Sequence, residues 1–229
     1  MTITVGILAS RTAPHFPFLP LVVRYPTKNL NGVIPMNKST TRLTLTALFV
    51  ALVLLFGLTP IGMIPLGFIN ISLLGIPVVV GTLVLGLNTG LLLGACFGGV
   101  SALSAFGIYG TPSTLAGTLV AASPILALVM CFLPRLLVPV IAQLVYRAAA
   151  RGNDQSKRAL PCAAVAGSLT NTVFYLGLML LFYRLLGLDD SRVLALIGGT
   201  ALIAGSAEAA VNALITTPVV IALRKAGNK

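Results

Sequence analysis

Residues 193–223 read VLALIGGTALIAGSAEAAVNALITTPVVIAL, an apolar run that contains a single ionisable residue, Glu208. A helix needs about 20 apolar residues to cross a bilayer, and this run is longer. Glu208 is also the only Glu of the chain. A charged group at that depth costs roughly 2.5–3.5 kcal/mol unless it faces protein or water. We therefore interpret the run as a transmembrane helix, in which Glu208 belongs either to a functional site or to a structural hydrogen bond between helices.

The composition of the whole chain is that of a helical membrane protein with several spans. Hydrophobic residues make up 57% of the 229 positions and charged residues 8%, with a mean hydropathy of +1.04. A soluble domain has about 25% charged residues. The apolar runs are continuous, unlike the alternating segments of a β-barrel. The net charge of +11 does not indicate nucleic acid, because the basic residues stand at the ends of the apolar runs. We expect a multi-pass protein of the cell membrane, embedded in the lipid bilayer.

Six transmembrane helices in one compact, all-α bundle are predicted. The spans are 42–58, 72–87, 90–107, 114–133, 162–186 and 193–223. Residues 134–148 either continue the fourth span or bend away from it at Pro134. Residues 1–35 contain five prolines and no helical periodicity. We expect them to be disordered or not part of the native chain, with Met36 as its true start and 36–229 as the membrane domain.

Basic residues near the span ends predict the orientation of the bundle. The side that carries both termini collects ten of them: Lys38, Arg42, Arg135, Arg147, Arg151, Lys157, Arg158, Arg224, Lys225 and Lys229. The other side has only Arg184 and Arg192, next to Asp189 and Asp190. A surface ion pair of Arg184 with one of these two acids is expected. Both termini are therefore predicted to be cytoplasmic.

Glycines at every fourth position indicate close packing of the third span. They are Gly86, Gly90, Gly94 and Gly98, continued by Ala102. This spacing places them on one helix face, where a neighbouring helix can approach closely and gain van der Waals contact. We call this row the glycine ladder and expect a structural role for it.

Polar residues within the last two spans predict a polar interior. Glu208, Asn212 and Thr216 form a stripe with a spacing of four, and a stripe that faced lipid would leave donors and acceptors unpaired. Asn171, on the same span as Tyr175, lies at a depth similar to that of Glu208. These side chains either line one cavity or form interhelical hydrogen bonds, each worth about 0.6 kcal/mol.

Two outer loops add candidate residues to that interior. Residues 59–72 are apolar yet rich in Pro and Gly, so we expect them to fold back over the bundle as a cap that directs Asn70 inward. Residues 107–114 form a second rim, with Tyr109 as a possible stacking group. Glycines give both segments the freedom to act as a gate. The candidate substrate-binding residues are Asn70, Tyr109, Asn171, Tyr175, Glu208 and Asn212.

Catalytic, metal and cofactor sites are not indicated. The three cysteines are odd in number and form no CxxC, and the only His is His15 in the first segment, so neither a metal site nor a disulfide framework is expected. The sequence has no GxxxxGK[ST] for nucleotide hydrolysis and no Ser/His/Asp set. We expect a protein that is not an enzyme and has no cofactor.

Several motifs stand in a characteristic order along the chain. An AxxxA motif, Ala47 to Ala51, follows a short basic lead. It is followed by IPVVVGTLVLG at 76–86, LPRLLVPV at 133–140, LVYR at 144–147, GSLTNTV at 167–173 and AEAAVNALITTP at 207–218. This order resembles the substrate-binding S components of energy-coupling factor (ECF) vitamin transporters, over essentially Met36 to Lys229.

The resemblance implies a function as well as a fold. It implies a six-helix bundle with both termini inside, which captures a water-soluble vitamin from outside the cell. ATP hydrolysis would come from two ATPase subunits joined by a transmembrane coupling subunit, which Ala47 and Ala51 would contact. The segments around Asn171 and Glu208 look most like the pantothenate-type and related branch. On electrostatic grounds a neutral or cationic vitamin is equally admissible.

Two other functions compete with this interpretation. The first is a stand-alone secondary transporter that uses Glu208 as a proton carrier, although the sequence lacks the internal repeat expected of many such proteins. The second is a membrane scaffold whose small-residue faces only dock other helices. It predicts no ligand affinity and a tolerated Glu208→Gln substitution.

Overall fold

The computed structural model describes residues 38–59, 62–65, 70–109, 114–152 and 156–227. Within these ranges the elements are α1 (Lys38–Leu58), β1 (Met63–Pro65), β2 (Asn70–Ser72), α2 (Gly75–Leu85), α3 (Leu87–Ala105), α4 (Thr114–Ala122), α5 (Pro124–Ala150), α6 (Ala159–Leu185), α7 (Ser191–Leu196) and α8 (Leu202–Gly227). A π-helical segment, Ile197–Ala201, joins α7 to α8. The N-terminal extension predicted at 1–35 lies outside the described residues.

Five of the described helices are long and apolar enough to cross a membrane. These spans are Thr40–Leu58, Leu87–Ala105, Pro124–Ala150, Ala159–Leu185 and Ile203–Ala226. The predicted second span, 72–87, is shorter than expected: α2 has 11 residues, or about 17 Å of helix. Ser72 belongs to β2, and Gly86, with φ of 99°, ends the helix. One of the six predicted spans is therefore too short to cross a bilayer by itself.

The bounds predicted for the fourth span, 114–133, are wrong. Ser123 is extended, with φ of −157° and ψ of 100°, and separates α4 from α5. The cause is Pro124, because a proline disfavours the helical conformation of the residue before it. Proline is itself well suited to the first position of a helix, where its missing N–H has no partner to lose. α5 then continues through Pro134 to Ala150, so residues 134–148 extend the helix.

The short helix α2 lies at the centre of the bundle. Nine of its 11 residues are buried, and it contacts α1, α3, α5, α6 and α8. A helix that is apolar on all sides is stable only when it is buried in this way. Arg42 Nη2 donates to the Leu85 carbonyl (2.6 Å) and Arg224 Nη2 to the Leu83 carbonyl (2.9 Å). The last four carbonyls of a helix have no partner within it, so these arginines tie α1 and α8 to the end of α2.

The glycine ladder packs closely against a neighbouring helix, as predicted, and that helix is mainly α5. A Cβ built on Gly94 would lie 2.6 Å from the carbonyl oxygen of Arg135. A Cβ on Gly90 or Gly98 would lie 2.9 Å or 2.8 Å from side chains of α5. Only residues without a side chain permit this helix separation, which maximises van der Waals contact. Gly86 is the exception, because it lies between α2 and α3.

A β-hairpin precedes the central helix. β1 and β2 are antiparallel, with Ile64 opposite Ile71, and the Leu73 N–H donates to the Gly62 carbonyl at 2.8 Å. β2 contacts α8. β2 therefore rests on the bundle, in agreement with the expectation that the segment it belongs to folds back.

The contact between the glycine ladder and α5 predicts opposite effects on stability for alanine substitutions at two glycines of α3. We expect Gly94→Ala to lower the free energy of unfolding by about 1–3 kcal/mol, because the added methyl meets backbone atoms that cannot rotate away. Gly99→Ala is the control, since its Cβ meets nothing within 4 Å, and loss of a helical glycine stabilises by up to about 1 kcal/mol. Thermal unfolding in detergent measures both. Equal midpoints for the two variants would contradict the contact.

Candidate functional site

Arg135 lies near the middle of α5 and is only 8% exposed. Its assignment to the basic residues at the cytoplasmic span ends is therefore wrong. The physical reason is that α5 continues past Pro134 and Pro139 to Ala150, which moves the end of the span about four turns beyond Arg135. Nine basic residues remain on the predicted cytoplasmic side.

The guanidinium of Arg135 is held by backbone and by aromatic rings. Pro134 has no N–H, so the Met130 carbonyl lacks its helical donor, and Arg135 Nη1 donates to that carbonyl at 3.0 Å. The guanidinium carbon lies 4.5 Å from the centre of the Tyr175 ring and 5.3 Å from that of Phe97. Both distances suit a cation–π interaction. Nε is buried and has no hydrogen-bond partner among the described residues.

Glu208 lies on α8, partly buried, near this guanidinium. The charges of Glu208 and Arg135 interact through space, but the two side chains do not form a direct ion pair. In the described part of the chain the ion pair is that of Arg184 Nε with Asp190 Oδ2, at 2.9 Å, which confirms the expected surface pairing of Arg184. Among the described residues, Arg135 and Glu208 are thus oppositely charged side chains of this interior that do not bond each other.

Asn212 links α8 to α6 within the same interior. Its side chain is 1% exposed, and its Nδ2 donates to the Glu208 carbonyl (2.9 Å) and to Ser168 Oγ (3.4 Å). Its Oδ1 has no partner in the described chain and faces the start of α2, where a Cβ on Gly75 would lie 3.4 Å away. Thr216, one turn further along α8, is fully buried. The polar stripe therefore faces the interior, as predicted.

Several buried polar side-chain atoms of α5, α6 and α8 have no hydrogen-bond partner in the described part of the chain. Among the described residues they are Arg135 Nε, Gln143 Oε1, Asn171 Oδ1, Asn212 Oδ1 and Thr216 Oγ1. Each such atom costs about 1–3 kcal/mol, and well-packed proteins contain few of them. All five atoms lie on α5, α6 and α8, and each could pair with a polar group of a bound molecule.

The predicted site residues fall into two groups. Tyr175 and Glu208 lie by Arg135, Asn212 bonds the Glu208 carbonyl one turn further along α8, and Asn171 is one turn from Tyr175 on α6. Tyr109 follows the end of α3 and is 39% exposed; its hydroxyl donates to a carbonyl at the end of α1.

The remaining candidates lie away from the interior or cannot be placed. Asn70 has its backbone in β2, but its side chain lies outside the described residues. Ala47 and Ala51 are exposed on α1. Because both alanines are exposed, we expect neither to contact the polar interior.

Arg135 and Phe97 are the residues of this region that sequence reasoning missed. The available signal was the segment LPRLLVPV at 133–140, in which one charge stands between two prolines inside an apolar run. Reading the prolines as the end of a span placed Arg135 in the cytoplasm. Reading them as tolerated within a helix would have made it an intramembrane charge, which is a functional-site hypothesis by default.

A family model described as ECF transporter, substrate-specific component, matches residues 41–221, from the first turn of α1 to near the end of α8. The chain belongs to this family. The S component is also 32% identical over 165 residues to the pantothenic acid transporter PanT of Lactococcus lactis subsp. cremoris. That alignment covers 68% of this chain and 79% of the relative. The protein is therefore a multi-pass cell-membrane protein of a vitamin transporter.

The unpaired hydroxyl of Thr216 generates a prediction for the ligand-free S component. We expect Thr216→Val to raise the free energy of unfolding by about 1 kcal/mol, because it replaces an unsatisfied buried hydroxyl by a methyl group of similar size. Thr217→Val is the matched control. Thr217 Oγ1 donates to the Ala213 carbonyl at 2.7 Å, so removing this hydroxyl should not raise the free energy of unfolding. Thermal unfolding of both proteins without ligand measures the effect. Destabilisation by Thr216→Val would mean that its hydroxyl is satisfied.

Proposed function

We propose that this S component captures a water-soluble vitamin of the pantothenate type from outside the cell and delivers it to an ATP-driven ECF importer. The observation that carries the proposal is the membership of the chain in a substrate-specific component family, and the unpaired polar atoms inside the apolar bundle are consistent with it. The likeness to a pantothenic acid transporter supports the choice of vitamin. The S component itself performs no chemical step, so it is not an enzyme.

The binding site is proposed to lie between α5, α6 and α8. Pantothenate carries an amide and two hydroxyl groups, which can donate hydrogen bonds to the unpaired oxygens of Asn171 and Asn212. Tyr175 and Glu208 would complete the site from the side of Arg135. Asn70 and Tyr109 would contribute from the outer segments that close over it. A site of this kind rejects ligands that lack the matching groups, because its own polar atoms would stay unpaired.

The proposed topology has six crossings with both termini in the cytoplasm. α2 would be the second crossing, completed by the hairpin that precedes it, since its 11 residues do not reach across the hydrocarbon layer. The excess of Lys and Arg at the start of α1, between α5 and α6 and at the end of α8 supports this orientation.

The proposed partners are a transmembrane coupling subunit and two ATPase subunits. Of the described spans, α1 is the least buried in the bundle, and its exposed face carries Ala47 and Ala51 one turn apart. Two small residues at this spacing let a second helix approach closely. We propose that the coupling subunit packs on this face.

The binding function predicts that the purified S component, without partners, binds one vitamin of a water-soluble panel, namely pantothenate. Asn212→Leu should weaken this binding at least about tenfold, because it removes a buried hydrogen-bonding group from the site. Ser206→Ala, an exposed polar position on the same helix, should leave the affinity unchanged. Calorimetric titration measures all three proteins. A folded wild-type protein that binds no vitamin of the panel would overturn the proposal.

The docking function predicts that Ala47→Leu with Ala51→Leu abolishes uptake by cells that contain the ATPase and coupling subunits. Vitamin binding by the purified variant should be unchanged, because both alanines lie on the exposed face of α1. Ala210→Leu is the control, since Ala210 is exposed on α8. Loss of binding in the double variant would argue against docking. Uptake that needs no ATPase subunits and stops when the proton gradient collapses would favour Glu208 as a proton carrier.

A further inference from the structure

The buried guanidinium of Arg135 lacks the partner that its environment demands. Removing a charged group from water costs several kcal/mol unless it is paired and hydrogen-bonded. Arg135 is only 8% exposed, and its nearby carboxyl group, Glu208, does not pair with it directly. A carbonyl group and two aromatic rings offset part of the cost, but they do not supply a negative charge.

The free edge of this guanidinium has a definite orientation. Nη1 is occupied by the Met130 carbonyl, whereas Nε is buried without a partner in the described chain. Nε lies on the edge of the guanidinium through which arginine binds a carboxylate with two parallel hydrogen bonds. The rings of Tyr175 and Phe97 fix the plane of the guanidinium, so the edge is oriented before a ligand arrives.

We infer that Arg135 binds the carboxylate of an anionic substrate and makes the S component selective for that carboxylate over a neutral analogue. The inference rests on the proposed function and adds the group that recognises the acidic end of the ligand. It assigns the charge class of the cargo, because a cationic vitamin would face an unpaired buried cation at this position. Arg135 is thus the specificity-determining residue, and the oxygens of Asn171 and Asn212 serve the neutral part of the substrate.

Glu208 supports this assignment by its separation from Arg135. A direct ion pair would occupy the guanidinium, whereas an unbonded carboxyl group leaves Nε available to pair with a ligand.

The test compares pantothenate with pantothenol, in which a primary alcohol replaces the carboxylate. We expect the wild-type S component to bind pantothenate at least about 100-fold more tightly than pantothenol. In Arg135→Gln this ratio should fall to within about threefold, mainly through loss of pantothenate affinity. Arg135→Lys should keep part of the ratio, because it retains the charge but loses the two-bond geometry. Arg147→Gln removes an exposed charge from the same helix and should change neither affinity.

Each outcome of these titrations supports or overturns one proposal. A wild-type protein that binds both ligands equally overturns the role of Arg135 without any variant, as does an Arg135→Gln protein that loses both ligands to the same extent. Tight binding of a vitamin without a carboxylate would also overturn it, while leaving vitamin capture in place. Absence of binding to any vitamin would overturn the proposed function itself.

Discussion

The close approach of α3 to α5 is the contact on which the polar interior depends. The backbone of α5 lies against Gly94 at the point where Pro139 leaves the Arg135 carbonyl without its helical donor. A larger residue on α3 would push this part of α5 away, and the guanidinium of Arg135 would move with it. The position of the Arg135 guanidinium relative to Tyr175 on α6 therefore depends on the absence of a side chain at Gly94 of α3.

Periodic features of the sequence predicted much of this architecture. The apolar runs gave the membrane class, the glycine ladder gave a close helix contact, and the stripe from Glu208 to Thr216 gave the polar interior, because each depends only on spacing along a helix. Helix bounds were less predictable. The length of α2 is set by the hairpin before it and by burial among five helices, and neither can be deduced from its own residues.

The burial of Arg135 could not be predicted from the sequence, for a different reason. A proline within an apolar run usually ends or bends a helix, and in α5 the freed Met130 carbonyl is instead satisfied by the side chain of Arg135. That compensation exists only once the helix has formed. Asn212 is buried, as its place in the polar stripe predicted. The charge of the region, however, includes Arg135 as well as Glu208, so it could not be deduced from the acidic residue alone.

The two arginines at the end of α2 make the bundle unequal at its two ends. Arg42 and Arg224 fasten α1 and α8 to the same helix terminus, whereas the start of α2 is reached through a hairpin and faces an unpaired Asn212 oxygen. A fastened end resists opening, so we expect α1, α2 and α8 to move as one body at this end. Relative motion of these helices is then easier at the other end, where only the hairpin leads into α2.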